Sequence, residues 1–393
     1  MEIANMNRIR EWFKTRMTKN RLYFTVLLCL LIPLLLLLLL SLIPAFRDFY
    51  ADHIYPGIAT ALGVVMSVFP FAMGEILMYL AFFALLTAAV SGLLTIFLRK
   101  KKKYTRFVIN YLKVLSCVLV YGLLAYTANW LIPFQSSVLG KERKEASREY
   151  TVQELRILYY YIVDRLNEEC DTVPRDAEGN VIYLTKEKSA DAAVTAMRSI
   201  SGEYPRLSGY YPQVKYALCS PVLRWMSIGG FTYPYTMETT MNRYVTNLYF
   251  PTLFTHEFAH HKGYYRESEA NFLSFIACSR SEEPTLRYSA YLYIFSYISD
   301  AYTLALDEAE AGDGYYDEIE EHAVKRQVWK DQNDQIEALK KEYESEFHPF
   351  EGLSDVAEEI AEKGWDTQAK VLGEDNYEGV VFLMLDHFDG VLY

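Results

Sequence analysis

Three stretches of the sequence are apolar, almost free of charge and long enough to cross a lipid bilayer. They cover residues 22–43, 76–98 and 107–133, and the third carries only Lys113, near one end. A helix needs about 20 apolar residues to span the hydrocarbon core, where its backbone polar groups must be bonded internally. The sequence therefore predicts a membrane domain over residues 22–135 with three transmembrane helices.

Basic clusters set the expected orientation of these helices. One cluster lies in the leader formed by residues 1–21, and the other lies at residues 99–103, directly after the second apolar stretch. Short segments rich in Lys and Arg tend to remain in the cytoplasm. The N-terminus is therefore expected in the cytoplasm, and after three crossings the chain beyond residue 135 is expected outside it.

A further uncharged stretch, residues 54–74, leaves the number of crossings open. It is about as long as a span, but Pro56, Gly57, Pro70 and Gly74 interrupt it. A crossing here would move the second basic cluster outside, against the usual bias. We therefore expect a helix that lies at the outer interface or re-enters the bilayer. A fourth span is the alternative.

The charge differs strongly between the two parts of the chain. Residues 1–139 contain 14 Lys and Arg against 5 Asp and Glu, whereas residues 140–393 contain 25 against 45. An acidic domain of this kind does not favour nucleic acid, which binds to basic surfaces. Helical periodicity, broken by Gly, Pro and aromatic residues between 209 and 249, predicts a mainly α (α+β) outer domain over residues 140–393.

The strongest chemical signal in the outer domain is the run His-Glu-Phe-Ala-His at residues 256–260. Residues i and i+4 share one face of a helix, so His256 and His260 can reach a single metal ion. Glu257 lies beside the first His, where its carboxylate can take a proton from water. Zn²⁺ suits such a site because three protein ligands leave a fourth position for water. The same run also arises by chance, with both His on an ordinary helix surface.

The third ligand is expected just after this helix turns. Gly263 is suited to end the helix, and residues 266–278 predict a second one. Glu267 and Asn271 share a face of that second helix, so Glu267 can ligate zinc while Asn271 fixes the tautomer of a ligand His. Glu269 points about 200° away from Glu267, so only one of the two can be the ligand. We choose Glu267.

This arrangement resembles the gluzincin metallopeptidases, whose His-Glu-x-x-His helix is followed by a helix that carries a ligand Glu. The run Arg-Glu-Ser-Glu-Ala-Asn at 266–271 is similar to that of membrane gluzincins of the heat-shock and prenyl-protein endopeptidase type. Asn271 stands where their pattern has Asp, which bears on the catalytic rate more than on metal binding. The chain also resembles an uncharacterised family of bacterial membrane proteins, a domain of unknown function, through segments 234–238, 256–260 and 267–272.

The resemblance implies a zincin-like extracytoplasmic domain held in the bacterial cell membrane by a helical, multi-pass N-terminal part. It implies a zinc-dependent metallopeptidase with His256, His260 and Glu267 as ligands and Glu257 as the catalytic residue. Its partners would be the lipid bilayer and a peptide or membrane-proximal protein substrate.

The resemblance also suggests that a strand at 233–243 receives the substrate, which would place Glu238 and Asn242 near the metal cleft. A non-catalytic zinc-binding membrane sensor or scaffold is the alternative function. An intact Glu257 favours the enzyme, because a purely structural zinc site has no use for that carboxylate.

Overall fold

The computed structural model describes residues 20–136, 139, 148–308, 322–346, 351–361, 363 and 376–393. Residues 1–19 of the predicted leader and residues 140–147 of the predicted outer domain therefore lie outside the described residues.

Helices dominate the described chain. Those of the N-terminal part are α1 (Arg21–Leu40), α2 (Pro44–Phe49), α3 (Tyr55–Met66), α4 (Met73–Leu98), α5 (Lys102–Tyr126) and α6 (Ile132–Phe134). Two π-helical turns, Tyr50–Ile54 and Thr127–Leu131, join α2 to α3 and α5 to α6. The main helices that follow are α7 (Val152–Thr172), α8 (Lys186–Ser199), α9 (Ser220–Trp225), α10 (Phe250–His261), α11 (Glu267–Ser279), α12 (Pro284–Glu308), α13 (Arg326–Glu344) and α14 (Asn376–Phe388).

Three helical segments are long and apolar enough to cross a membrane. They are Arg21–Leu40, Met73–Leu98 and the continuous segment Lys102–Phe134. They overlap the three predicted spans, so the prediction of three such helices is confirmed for the described residues. Only 6% of the most apolar window of each segment is buried, which is consistent with helices that lie in a membrane.

The uncharged stretch at 54–74 contains a helix that by itself is too short to cross a bilayer. Helix α3 has 12 residues, or about 18 Å, against a hydrocarbon core of about 30 Å. Tyr55, Ala59 and Gly63 on one side of it are buried, whereas Val64 and Val65 are exposed. Helix α3 continues α2 and the π-helical turn Tyr50–Ile54 without a break. Its own length therefore does not decide between a helix at the interface and a fourth span, and both stay predictions.

The part of the chain from residue 148 onward is built around α7, α10, α11 and α12. The apolar spacing that predicted a helix at 152–170 is explained by α7, whose Leu158, Ile162 and Leu166 are completely buried. Thr151 begins this helix in a capping box with Glu154, which satisfies N–H groups that the first turn leaves free. Burying each large apolar side chain stabilises the fold by about 1.5–3 kcal/mol, so this packed core holds α10 and α11 in place.

A small sheet lies beside α10. Its strands are β1 (Lys215–Tyr216), β2 (Gly230–Thr232) and β3 (Thr239–Met241), in the order β1-β3-β2. Strand β3 is central, parallel to β1 and antiparallel to β2. The region predicted as strands and turns does contain this sheet. It also contains the short helix α9, which the sequence analysis did not predict.

A buried carboxylate fastens the second apolar helix to this sheet. Glu238 accepts hydrogen bonds from the backbone N–H groups of Met73 (3.0 Å) and Gly74 (2.6 Å) and forms an ion pair with Lys215. Glu238 and Lys215 are 1% and 4% exposed. Since the first N–H groups of a helix have no partner within it, a carboxylate placed there is favourable.

Replacing Glu238 with Ala should destabilise the protein strongly. Breaking a buried ion pair from one side costs about 3–5 kcal/mol, because the other charge stays buried without its partner. We expect a clear fall in the melting temperature of the detergent-purified full chain. The control is Glu203→Ala: its ion pair with Arg280 has side-chain exposures of 56% and 39%, and its loss should cost below about 1 kcal/mol. Equal falls for the two variants would contradict the role given to Glu238.

Candidate metal centre and cleft

Helix α10 carries the His-Glu-x-x-His run along the side of the core. Phe254 and Phe258 on this helix are completely buried and anchor it, while His256, Glu257 and His260 face a cleft beside the small sheet. Pro251 lies in the first turn, where its missing N–H costs no hydrogen bond. The local sequence thus fixes both the start of the helix and the face that it buries.

A tight turn after α10 brings the next helix back across the two His residues. Gly263 has φ +90°, a conformation that residues with a Cβ seldom adopt. The N–H of Gly263 donates to the His260 carbonyl (3.0 Å) and that of Tyr264 to the Ala259 carbonyl (3.0 Å). This is a Schellman motif, and it confirms the prediction that Gly263 ends the helix. Helix α11 then begins at Glu267.

The turn brings three predicted ligands together. Glu267 Oε2 lies 3.1 Å from His256 Nε2, and Glu267 Oε1 lies 3.5 Å from His260 Nε2. One potential ligand atom from each of the three residues falls within 4.8 Å of the others. Two imidazole nitrogens and a carboxylate form a donor set that Zn²⁺ binds in catalytic sites. Their side chains are 9%, 10% and 25% exposed for His256, His260 and Glu267, so solvent reaches the cluster from one side.

Hydrogen bonds from behind orient both imidazoles. His256 Nδ1 lies 2.7 Å from Asn271 Oδ1, and His260 Nδ1 lies 2.8 Å from the carbonyl oxygen of Tyr264. Both partners are acceptors, so each Nδ1 carries a proton and donates it. In the neutral ring the lone pair is then on Nε2, which faces Glu267, as a metal ligand requires. Asn271 thus has the contact expected from its spacing on α11.

The buried Glu267 carboxylate needs positive charge beside it. Burial lowers the pKa of His260, but the neighbouring Glu267 carboxylate outweighs this effect and raises it to about 9. Burial also raises the pKa of Glu267, and the two imidazoles overcome this and hold it well below its usual range. A buried carboxylate is stable only with positive charge beside it, which a proton or a metal ion can supply.

Glu257 lies next to the cluster, beside the edge strand β2. It is 3% exposed, and burial raises the pKa of its carboxyl group. Thr232 Oγ1 donates to the Glu257 carbonyl oxygen (3.3 Å) and approaches its Oε2 (3.4 Å). A Cβ on Gly230 would lie 3.0 Å from Glu257 Cγ and 3.1 Å from its Oε1, so only glycine lets β2 pass this close.

The cluster opens into a cleft of about 520 Å³. Strand β2 forms one wall, and among the described residues it pairs only with β3, so its other edge is unpaired there. Tyr293 and Tyr297 of α12 form the opposite wall, and Trp130, from the last apolar segment, closes one end together with Tyr265. The arrangement combines a metal-ligand set, a buried carboxylate and a strand edge that can pair with an extended chain.

The predicted substrate strand needs a correction. Glu238 does not line the cleft, because it is committed to the start of α4 and to Lys215. Asn242 lies behind the cleft wall, where its Nδ2 donates to the Ile228 carbonyl (3.0 Å) and its Oδ1 accepts from the Tyr244 N–H (2.9 Å). Strand β3 is paired on both sides, so the free edge that faces the cleft belongs to β2.

Two tyrosines of the site, Tyr293 and Tyr297 of α12, are not among the residues that the sequence predicted for it. Tyr293 donates to Asn271 Oδ1 (2.9 Å), and Tyr297 accepts from Asn271 Nδ2 (3.2 Å). These contacts hold the amide with its oxygen toward His256. Their spacing of four residues puts both hydroxyls on one helix face. This spacing is the only sign in the sequence that the two tyrosines act together. The sequence could not indicate that this face meets Asn271.

Comparison with known proteins identifies the family. The family described as "Protein of unknown function (DUF3810)" matches residues 50–385. The chain belongs to this family. No curated protein and no solved structure matches the chain. The DUF3810 match covers the last two apolar segments, the edge strand and every candidate site residue, so these two segments and the cleft belong to one family unit.

The purified protein should bind about one Zn²⁺ per chain. His256→Ala and His260→Ala should each abolish this, because each removes one of three ligands. Asn271→Ala should weaken binding about 10–100-fold by loosening His256. The measurements are metal analysis after dialysis and competition with a zinc chelator.

Glu267 and Glu269 provide a matched comparison for the carboxylate ligand. Both lie in the first turn of α11, and only Glu267 touches the two imidazoles. Glu267→Gln should therefore lower the affinity for zinc much more than Glu269→Gln. Full zinc occupancy in the Glu267 variant would contradict the assigned ligand set.

Proposed function

We propose that this protein is a membrane-anchored, zinc-dependent metallopeptidase that hydrolyses peptide bonds on the extracytoplasmic side. The observation that carries the proposal is the convergence of His256, His260 and Glu267, with Glu257 between this cluster and an unpaired strand edge. A structural zinc site is normally closed by four protein ligands, whereas three ligands and a nearby carboxylate suit hydrolysis.

In this proposal His256, His260 and Glu267 hold Zn²⁺, which when bound would polarise a peptide carbonyl and make water a better nucleophile. Glu257 accepts a proton from the attacking water and delivers it to the leaving amine. Burial raises the pKa of Glu257, which makes its carboxylate a stronger base than an exposed one.

The walls of the cleft suit an extended peptide. The free edge of β2 offers backbone N–H and C=O groups for pairing, and Gly230 lets the paired chain come close to Glu257. Tyr293 and Tyr297 present phenol groups on the opposite side. A hydroxyl there can donate to an oxygen that gains negative charge during hydrolysis.

The alternative is a zinc-binding membrane sensor or scaffold without turnover. One contact favours it: the Tyr55 hydroxyl donates to the His261 carbonyl (3.0 Å) and lies 3.1 Å from the Tyr265 hydroxyl. Metal binding at His260 could therefore change the position of Tyr55 and of α3, the helix that carries it. The sensor requires no base, so Glu257 separates the two functions.

Glu257→Gln should retain zinc and lose peptidase activity. The substitution keeps the size of the side chain but removes the base, and general-base catalysis typically contributes about 10²–10⁴-fold. The wild type should cleave members of a diverse peptide library in a reaction that a chelator stops and added zinc restores. If cells with Glu257→Gln have the wild-type phenotype while cells with His256→Ala do not, the metal is structural. The sensor or scaffold function would then replace the enzymatic one.

The proposed location rests on the basic clusters at 1–21 and 99–103 and on three crossings. A reporter enzyme fused after residue 135 should be active outside the cytoplasm, and one fused after residue 103 should be active inside it. The two fusions serve as controls for each other. A cytoplasmic signal from the first fusion would contradict the proposed orientation and move the cleft to the other side of the membrane.

A further inference from the structure

We infer that the substrate is a polypeptide anchored in the same membrane, cut within a few residues of its anchor. This inference rests on the proposed function and specifies the substrate class of the same cleft. It follows from the position of the cleft relative to the ends of the apolar helices.

Trp130 connects the last apolar segment directly to the cluster. It lies four residues before the end of the segment Lys102–Phe134 and also lines the cleft. Its ring stacks on Phe134 (4.8 Å) and lies 6.1 Å from the ring of Tyr265. Tyr265 in turn stacks on His260 at 5.8 Å. Trp and Tyr concentrate where spanning helices leave the hydrocarbon core, so this end of the cleft lies at the bilayer surface.

The edge strand leads toward the same surface. Just past β2, the Pro234 carbonyl accepts a hydrogen bond from Asn129 Nδ2 (2.7 Å) in the last apolar segment. Tyr233 packs against Gly74 so closely that a Cβ there would lie 2.4 Å from its ring. The C-terminal end of β2 therefore lies where one apolar helix begins and another ends.

The surface beside these helix ends is apolar. Leu218 is 63% exposed, Phe71 41% and Tyr235 39%. Leu218 is held at the start of α4, because its N–H donates to Glu75 Oε2 (2.8 Å). An apolar surface that continues the lipid-facing side of α4 is covered by the bilayer itself, which places the mouth of the cleft at the membrane.

These positions set a distance for the cut. Gly230 marks the part of β2 that touches Glu257, and the strand ends two residues later. Pro234, which contacts the last apolar segment, lies four residues after Gly230. At about 3.3 Å per residue these two points are roughly 7 and 13 Å along the chain. A headgroup layer of about 5–7 Å extends the distance from the scissile bond to the hydrocarbon core to roughly 7–20 Å. A substrate paired along β2 would therefore be cut about 2–6 residues from its anchor, whereas a site far along a tether would have to fold back to reach Glu257.

The test uses the full-length protein in liposomes with a randomised peptide library carrying a lipid at one terminus. A Gly-Ser spacer of 0, 4, 8 or 16 residues separates the lipid from the random region, and libraries lipidated at either terminus are compared. All forms share the same anchor, so local concentration is nearly equal. Mass spectrometry should locate cuts about 2–6 residues from the anchor, and cutting within the random region should be at least tenfold slower with the 16-residue spacer than with none. Cutting independent of spacer length would overturn the inference.

A tryptophan substitution tests the geometry. Trp130→Ala should bring the ratio of the short-spacer rate to the long-spacer rate toward one. Trp130→Phe should give a ratio between those of Trp130→Ala and the wild type. Trp329→Ala, at an exposed position of α13, should leave the ratio unchanged. An unaltered ratio in folded Trp130→Ala would contradict the assigned role. Absence of metal-dependent cutting of every library, lipidated or free, would instead refute the proposed function.

Discussion

The candidate site depends on a carboxylate held against two imidazoles. Glu267 lies within hydrogen-bonding distance of His256 and close to His260, in a cleft that offers little water to screen its charge. Such a group needs positive charge beside it, which a proton on an imidazole or a bound metal ion supplies. The acceptors behind His256 and His260 keep each Nε2 directed inward, and the cleft wall keeps Glu257 close but outside the cluster. These surroundings give the cluster the donor set and orientation on which the proposed zinc site depends.

The sequence predicted this cluster because its geometry is local. A spacing of four residues on one helix, a glycine that permits a left-handed turn, and a second helix with Glu267 and Asn271 on one face are all properties of a short segment. The apolar helices could also be predicted from the sequence, because length and lack of charge suffice to recognise them. Each of these patterns is strong enough to be seen without knowledge of the remaining fold.

The walls of the cleft could not be derived in the same way. Strands of two or three residues contain too few positions for an alternating pattern, so their order, with β3 between β1 and β2, was not predictable. Glu238 was misplaced because its partners are the N–H groups of Met73 and Gly74, more than 160 residues away. Tyr293 lies in an aromatic-rich stretch of the kind that usually packs in a core. Its hydroxyl reaches Asn271 only because α12 packs against α11.

The last apolar segment is long and apolar enough to span a membrane, and its Trp130 also lines the cleft. It has 33 residues and is therefore about 50 Å long, well beyond a hydrocarbon core of about 30 Å. A helix with such excess length adapts to a thinner or thicker bilayer by tilting. Trp130 would move with that tilt, and Trp130 is also a wall of the cleft. If the segment spans a bilayer as proposed, the shape of the cleft at Trp130 would depend on the thickness of that bilayer.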